Sequence, residues 1–168
     1  MKYILNSREM KQCDENTMRR RGMLSAVLME RAALATMQEI VKRYPDPATK
    51  VLVVCGSGNN GGDGVAVARL LYLKGYNVTI YFAGNREKAT EETKRQMFIA
   101  EQYGVEISDE YPKDIVEVIV DALFGIGLSR EVTGKYAEIL QKMTEQDGYK
   151  VAVDIASGIS ADTGAVMG

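Results

Sequence analysis

The chain has 168 residues, of which 21 are Lys or Arg and 23 are Asp or Glu, so its formal net charge is −2. Its 46% hydrophobic and 26% charged residues are typical of a globular domain and exclude intrinsic disorder. The slightly acidic charge argues against a dedicated nucleic-acid or membrane-surface binder, because such proteins need a basic field. The chain contains no histidine, which excludes a Ser-His-Asp triad and a histidine-bound zinc.

The two cysteines, Cys13 and Cys55, are far apart and lack the spacing of a metal site. Cys55 ends an apolar run, which is more typical of a small core residue than of a nucleophile. The N-terminus turns polar too soon for a signal peptide, and no apolar run approaches the ~20 residues that span a bilayer. We therefore expect a reduced, cytoplasmic protein.

The first 45 residues are predicted to be helical. A helix capped by Ser7 is expected to run to about residue 21, where Gly22 interrupts it, and a second helix ends near Tyr44. The three arginines at 19–21 indicate a solvated helix end rather than a phosphate site. These helices carry more apolar surface than one sheet face covers, which predicts a homodimer interface. The adaptable methionines of that surface are Met10, Met18, Met23, Met29 and Met37.

From residue 50 onward, predicted strands alternate with helices. Strands are expected at 51–55, 77–82, 105–107, 116–121 and 151–154, and helices at 65–74, 87–103 and 136–145. This alternation predicts an α/β fold: a Rossmann-like, doubly wound, mainly parallel sheet with helices on both faces and an N-terminal helical extension. We expect a single domain over residues 1–168. Because the segment after Gly158 resembles a loop leading into further structure, we also expect the domain to be truncated at its C-terminus.

Three of the predicted strands end in polar segments, at residues 56–64, 121–130 and 154–158. In open α/β sheets, ligands bind beyond the carboxyl ends of the strands, where the strand order reverses. If the order is 3-2-1-4-5, these three segments are neighbours. Their convergence predicts a ligand site at that edge of the sheet.

The first segment resembles two nucleotide motifs without satisfying either. Residues 56–61 match Gly-x-Gly-x-x-Gly, but no acidic residue ends the second strand to hold a ribose, and residues 62–63 are Gly-Asp where a P-loop needs Lys and Ser or Thr. Glycine amides near a helix N-terminus still suit an anion, with Asn59, Asn60 and Asp63 adding side-chain oxygens. The alternative is a tight strand-to-helix connection in which Asp63 is the helix N-cap.

The other two segments contribute acidic side chains. Asp121 and Asp154 each end an apolar strand, and either could be only a loop cap. Two carboxylates held close together repel each other, which raises the pKa of one unless a cation lies between them. Asn60, Asp121 and Ser157 offer oxygen ligands that suit an alkali or alkaline-earth ion rather than zinc. Arg130 is either a phosphate contact or an exposed loop charge.

Three ordered segments resemble those of a known family. They are Gly-Asn-Asn-Gly-Gly-Asp-Gly at 58–64, Val-Asp-Ala-Leu-Phe-Gly at 120–125 and Val-Asp-Ile-Ala-Ser-Gly-Ile-Ser-Ala-Asp-Thr-Gly at 153–164. Together with Leu-Met-Glu-Arg-Ala at 28–32, they resemble the NAD(P)H-hydrate epimerases, the YjeF N-terminal domain family, over nearly the whole chain. Ala156 replaces a usual Pro, and Arg31 replaces a common Asn.

The resemblance implies an isomerase of metabolite repair. Such an enzyme converts the R form of hydrated NADH or NADPH to the S form. A partner ATP- or ADP-dependent NAD(P)H-hydrate dehydratase can then convert the S form back to NADH or NADPH. It also implies that Asn60, Asp121 and Ser157 hold one potassium ion per subunit. The implied substrate-binding residues are Asn59, Asn60, Gly61, Gly62, Asp63, Gly125, Ile126, Gly127, Leu128, Ser129, Arg130, Glu131 and Asp154.

Two expectations follow for the chemistry. A low-charge, all-oxygen ligand set fits potassium better than magnesium, which demands near-ideal octahedral geometry. Since the chain lacks histidine, we expect Asp154 to carry the acid–base catalysis. The alternative is a non-catalytic ligand-binding or scaffold module on the same fold. The intact Asn60, Asp121, Asp154 and Ser157 favour the enzyme, because a scaffold does not need them.

Overall fold

Two helices precede the first strand. The computed structural model describes residues 3–168, in which α1 spans Ser7–Arg21 and α2 spans Ser25–Arg43. The expected cap of α1 is wrong by one residue, because Asn6 is the N-cap. Its Oδ1 accepts the Glu9 N–H at 2.9 Å, and Glu9 Oε2 accepts the Asn6 N–H at 2.9 Å, which forms a capping box. Gly22 ends α1 in the left-handed conformation, at φ 71°.

Five parallel strands form one sheet in the order β3-β2-β1-β4-β5, the order on which the predicted convergence depends. Strand β1 is central and pairs with β2 and β4 on either side. Its residues from Val51 to Cys55 are fully buried, since helices cover both faces of the sheet. The strands are β1 Lys50–Cys55, β2 Asn77–Phe82, β3 Ile107–Ser108, β4 Val118–Ala122 and β5 Tyr149–Ala152.

Two hydrophobic cores flank the sheet. Helices α2, α3 (Asn59–Leu73) and α4 (Glu91–Gln102) cover one face, and α5 (Lys135–Glu145) covers the other. Alternate residues of β1 enter each core, which is the expected period of two. In the described part of the chain, no helix is long and apolar enough to cross a membrane. Cys55 lies in the first core, where burial and then the charge of Asp121 raise the pKa of its thiol.

The start of α3 differs from the prediction. The helix begins at Asn59 and not at Val65, so most of the expected loop at 56–64 is the first helical turns. The glycines of this segment are tolerated in the helix, because close packing leaves no room for a side chain at their positions. A Cβ on Gly61 would overlap the Gly56 carbonyl oxygen, and a Cβ on Gly64 would overlap the Ala122 side chain. The N-cap of α3 is Gly58, so the interpretation of Asp63 as that cap is wrong.

Other boundaries shift by smaller amounts. Helix α4 starts four residues later than predicted, at Glu91, because Thr90 caps it by accepting the Thr93 N–H. Strand β3 is displaced toward the C-terminus, β4 starts and ends later, and β5 starts and ends earlier than predicted. The bounds of β2 match the prediction. None of these shifts moves a polar segment away from the carboxyl edge of the sheet.

Candidate functional site

The three polar segments meet at the carboxyl edge of the sheet, around Gly125. A Cβ on Gly125 would lie 2.6 Å from Asp154 Oδ2 and 3.3 Å from the Asn60 Cβ. This glycine, from the segment after β4, therefore separates a carboxylate of the segment after β5 from an amide of α3. The strand order β2-β1-β4-β5 produces this junction, because it places the ends of β1, β4 and β5 side by side.

Asp121 and Ser157 join the segments that follow β4 and β5. The Ser157 hydroxyl donates to Asp121 Oδ1 at 2.6 Å, and the Ser157 N–H donates to Asp121 Oδ2 at 2.7 Å. The Phe124 N–H in turn donates to Ser157 Oγ at 2.8 Å. Burial raises the pKa of Asp121, whereas the hydrogen bonds from Ser157 and Leu123 lower it. The pair is therefore a buried, oxygen-rich connection rather than a solvated loop cap.

Asn60, which lies next to Gly125, has an unsatisfied side chain. Both its Oδ1 and its Nδ2 are buried, and neither finds a hydrogen-bond partner among the described residues. Leaving such a group unpaired costs about 1–3 kcal/mol, so its oxygen and nitrogen are available to a bound water, ion or ligand. The donor set of Asn60, Asp121 and Ser157 consists of neutral or singly charged oxygens, which fits a large monovalent cation. Residues 3–168 contain no cluster of three Cys, Asp or Glu side chains of the kind that binds a divalent metal.

Asp154 holds the segment that follows β4. Its Oδ2 accepts the Ile126 N–H at 2.8 Å, which orients the carboxylate toward Gly125 and keeps the Gly125–Ile126 backbone close to α3. The side chain remains exposed to the crevice. A carboxylate that is oriented by one oxygen and open to the crevice is suited to contact a ligand and to exchange a proton with it.

Asp63 is the carboxyl group whose pKa changes most at this edge. It lies in α3, three residues after Asn60, and its pKa rises from 3.8 to about 7 because burial disfavours the charged form. The charges of Asp154 and, to a smaller extent, Asp14 raise it further. Asp63 is therefore partly protonated near neutral pH. Sequence reasoning grouped it with the substrate contacts and missed this property, for which the only local signal was an acidic residue among small neighbours.

The remaining predicted contacts divide by exposure. Gly61 and Gly62 are buried residues of the first turn of α3, where a Cβ on Gly62 would lie 2.9 Å from both Met29 Cε and Thr93 Oγ1. These two glycines serve the packing of the helix, and their contact with substrate stays a prediction. The exposed members are Asn59, Gly127, Ser129, Arg130 and Glu131, whereas Ile126 and Leu128 are half-buried.

Arg130 is exposed, and two clefts lie elsewhere on the molecule. None of the ion pairs within residues 3–168 includes Arg130, so its role as a phosphate contact stays a prediction. A cleft of about 330 Å³ lies beside Arg43 and Tyr149, at the opposite edge of the sheet from the junction. A second, of about 240 Å³, lies between the starts of α2 and α4. Neither of these clefts is lined by a residue of the junction at Gly125.

The raised pKa of Asp63 predicts how stability depends on pH. Between pH 3.8 and about 7 the unfolded chain has lost a proton that the folded chain keeps, so the free energy of unfolding falls as pH rises through this range. Asp63→Asn should remove this fall, so that on going from pH 4.5 to pH 8 the variant gains about 3 kcal/mol of stability relative to wild type. Urea denaturation at both pH values measures the difference. Asp147→Asn, an exposed carboxylate, is the control, and parallel curves for wild type and Asp63→Asn would contradict the assignment.

Comparison with known proteins identifies the family of this chain. The family model described as YjeF-related protein N-terminus matches residues 25–168. Proteins named NAD(P)H-hydrate epimerase from Limosilactobacillus reuteri and Levilactobacillus brevis are each 48% identical to this chain. The first match covers 98% of this chain and 78% of the relative, and the second covers 88% and 68%. The crystal structure of yeast ynu0 superposes with a TM-score of 0.86 at 25% identity, over 98% of this chain and 75% of that one. The chain therefore belongs to the family of YjeF-related N-terminal domains.

Proposed function

We infer that this chain is an NAD(P)H-hydrate epimerase, an isomerase that converts the R form of hydrated NADH or NADPH to the S form in nicotinamide nucleotide repair. The observation that carries this inference is the junction at Gly125. There the Asp154 carboxylate and the Asn60 amide face each other across a residue without a side chain. The relatives that match nearly the whole chain are named for this activity. The same names disfavour a non-catalytic scaffold.

The site offers groups that suit the two parts of such a substrate. The start of α3 presents backbone amides and the positive end of a helix dipole, which favour an anion such as a phosphate. Gly127, Ser129 and Arg130, in the segment after β4, are also exposed and could contact the same anion. The hydrated ring would then lie against Asp154, with the dinucleotide phosphates along the segment from Gly125 to Glu131. Gly125 has no side chain, which lets Asp154 and Asn60 both approach this stretch of backbone closely.

Epimerisation breaks and remakes a bond at the hydrated carbon, with a proton accepted and a proton donated. We propose that Asp154 is the catalytic acid–base group, because it is oriented by Ile126 and open to the crevice. Asp63 supplies the complementary function: its pKa near 7 lets it hold a proton at neutral pH and still release it. The charge of Asp154 is among the causes of that pKa, so the two groups are coupled electrostatically.

The catalytic assignment is tested on hydrated NADH enriched in the R form, with epimerisation followed by NMR. Wild type should accelerate it over the spontaneous rate, and Asp154→Asn should lose roughly 10² or more of this acceleration, the usual share of a general acid–base group. Asp147→Asn should retain wild-type activity, because Asp147 is exposed and lies before β5, at the opposite edge. No acceleration by wild type would favour the scaffold alternative, and full activity of Asp154→Asn would refute its catalytic role.

We further propose that Asn60, Asp121 and Ser157 hold one potassium ion. The support is the buried Asn60 amide, which has no partner among the described residues and lies next to Gly125, together with the Asp121–Ser157 pair, which accepts a hydrogen bond from Phe124, the residue before Gly125. The ion would supply positive charge that holds the ends of β1, β4 and β5 together. Asn60 Oδ1 would contribute an amide dipole, Asp121 the one negative charge, and Ser157 a hydroxyl that is already oriented by Phe124.

Potassium should therefore stabilise the fold by mass action, because its ligands meet only in the folded chain. The thermal midpoint in potassium chloride should exceed that in choline chloride at the same ionic strength by roughly 3 °C or more. Asn60→Ala should abolish this difference, whereas Asn59→Ala, which alters the exposed neighbour, should keep it. Equal midpoints of wild type in the two salts would mean that no such site functions.

We propose a homodimer formed through the N-terminal helices, with one correction to the surface expected from sequence. Met29 and Met37 are 6% and 2% exposed, because α2 buries them against α3 and the sheet, so their assignment to an interface is wrong. Met10, Met23 and Leu24 remain exposed, Leu24 at 70%. Met23 and Leu24 lie at the junction of α1 and α2, where exposed apolar side chains suit a partner surface.

Sedimentation at micromolar concentration tests the dimer. Wild type should sediment as a dimer, and Leu24→Glu should dissociate it, because the charge would lie within the apolar contact. Ile115→Glu is the matched control, since Ile115 is 80% exposed in the segment before β4. A monomeric wild type, or an equal effect of both substitutions, would contradict the interface.

The next enzyme in the repair and the cellular compartment are also proposals. We propose that the S product passes to an ATP- or ADP-dependent NAD(P)H-hydrate dehydratase, and that both act in the cytoplasm. The two cysteines of the chain are free, Cys13 on the surface and Cys55 in the core, which suits a reducing compartment.

A further inference from the structure

Helix α1 is attached to the site rather than to the hydrophobic core. None of its residues is buried. Its first turn is instead held by Asp162, whose Oδ1 accepts the Ser7 N–H at 2.6 Å and whose Oδ2 accepts the Ser7 hydroxyl at 2.8 Å. These hydrogen bonds hold the pKa of Asp162 below its ordinary value. Asp162 follows Ser157 in the same segment, so α1 is anchored on one of the segments that form the candidate site.

One face of α1 lies over the crevice. Ser7, Lys11 and Asp14 are spaced by four and three residues, which places them on the same side of a helix. The Lys11 Nζ lies 3.9 Å from the position that a Cβ on Gly127 would occupy. Asp14 is close enough to Asp63 for its charge to raise the pKa of that residue. The helix thus faces both segments to which substrate binding is assigned.

The Lys11 ammonium has no carboxylate within 4.0 Å among residues 3–168. Its charge contributes to the lowered pKa of Asp162, but as the smallest of the causes, and both oxygens of Asp162 already accept hydrogen bonds from Ser7. The part of the segment that Lys11 approaches is Gly127, which offers backbone and no acidic side chain. A cation in contact with such a segment, with no acid pairing it, can bind an anion that lies against the segment.

We propose that Lys11 is a substrate-binding residue that holds the diphosphate of the hydrated dinucleotide against the segment at Gly127, with α1 forming the outer wall of the site. This deepens the proposed function and rests on it for the identity of the substrate. The diphosphate is common to NADH and NADPH and carries two negative charges. A lysine ammonium, with three donors on a flexible stem, suits such a group. The Ser7–Asp162 hydrogen bonds position Lys11 by anchoring the first turn of α1.

Calorimetric binding of hydrated NADH tests Lys11 without relying on turnover. Lys11→Gln should weaken binding roughly tenfold, the usual effect of losing one charge-assisted hydrogen bond. Lys11→Arg should bind nearly as well as wild type, since it keeps the charge. Arg20→Gln is the matched control: it removes the same charge from the same helix, but nine residues away and so on the opposite face, ~180° around.

A phosphate-free probe separates a phosphate contact from a merely structural role. Hydrated reduced nicotinamide riboside lacks the diphosphate, so Lys11→Gln and wild type should bind it equally. Equal binding of hydrated NADH by wild type and Lys11→Gln would overturn the proposal. It would also be overturned if Lys11→Gln weakened binding of the riboside as much as it weakened binding of hydrated NADH. Epimerisation by the same samples is a separate readout. If Lys11→Gln weakens binding but wild type does not epimerise the substrate, the proposed function is refuted and the Lys11 contact stands. If wild type epimerises the substrate but Lys11→Gln binds it as well as wild type does, only the Lys11 contact is refuted.

Discussion

The site depends on how closely α3 approaches the strand ends. Gly56, Gly61 and Gly64 lie where the start of α3 meets the backbone after β1 and the side chains of β4, and a Cβ at any of them would overlap a neighbouring atom. Because backbone cannot yield as a flexible side chain does, this packing leaves no room for larger residues. It places Asn60 and Asp63 on the first turns of a rigid helix, directly above the ends of β1 and β4. The rest of the site is assembled against that fixed element.

This arrangement concentrates negative charge in a chain that is nearly neutral overall. Asp63, Asp121 and Asp154 belong to three different elements and meet at one edge, and the pKa values of Asp63 and Asp121 are raised by burial. Keeping such groups desolvated costs stability, as does the Asn60 amide that lacks a partner. Sites that bind and transform ligands commonly retain strain of this kind, which a bound cation and substrate would offset.

The same edge combines rigid and loosely attached parts. Asn60 and Asp121 belong to a buried helix and a central strand, so their positions are set by the core. Asp154 and Ser157 lie on a segment held mainly by hydrogen bonds to Ile126 and Asp121. Helix α1 adds no buried residue and depends on Asp162. A site that is rigid where a cation would bind and less tightly held on its outer side suits the entry of a long dinucleotide.

Sequence alone determined the architecture and the identity of the polar residues. Apolar runs bounded by glycine identify the strands, as at β2, and alternation with helices leaves few topologies open. The three motifs identified the family and the ends of β1, β4 and β5 as the place to look. Tertiary structure decided what these residues do to one another. Local propensity predicted a loop at 59–64, but packing against the end of β4 allows a helix there. Met29 and Met37 are buried by contacts with residues distant in sequence. The pKa of Asp63, the unsatisfied Asn60 and the position of α1 over Gly127 also arise between elements far apart in the chain, and no local pattern encodes a distance between them.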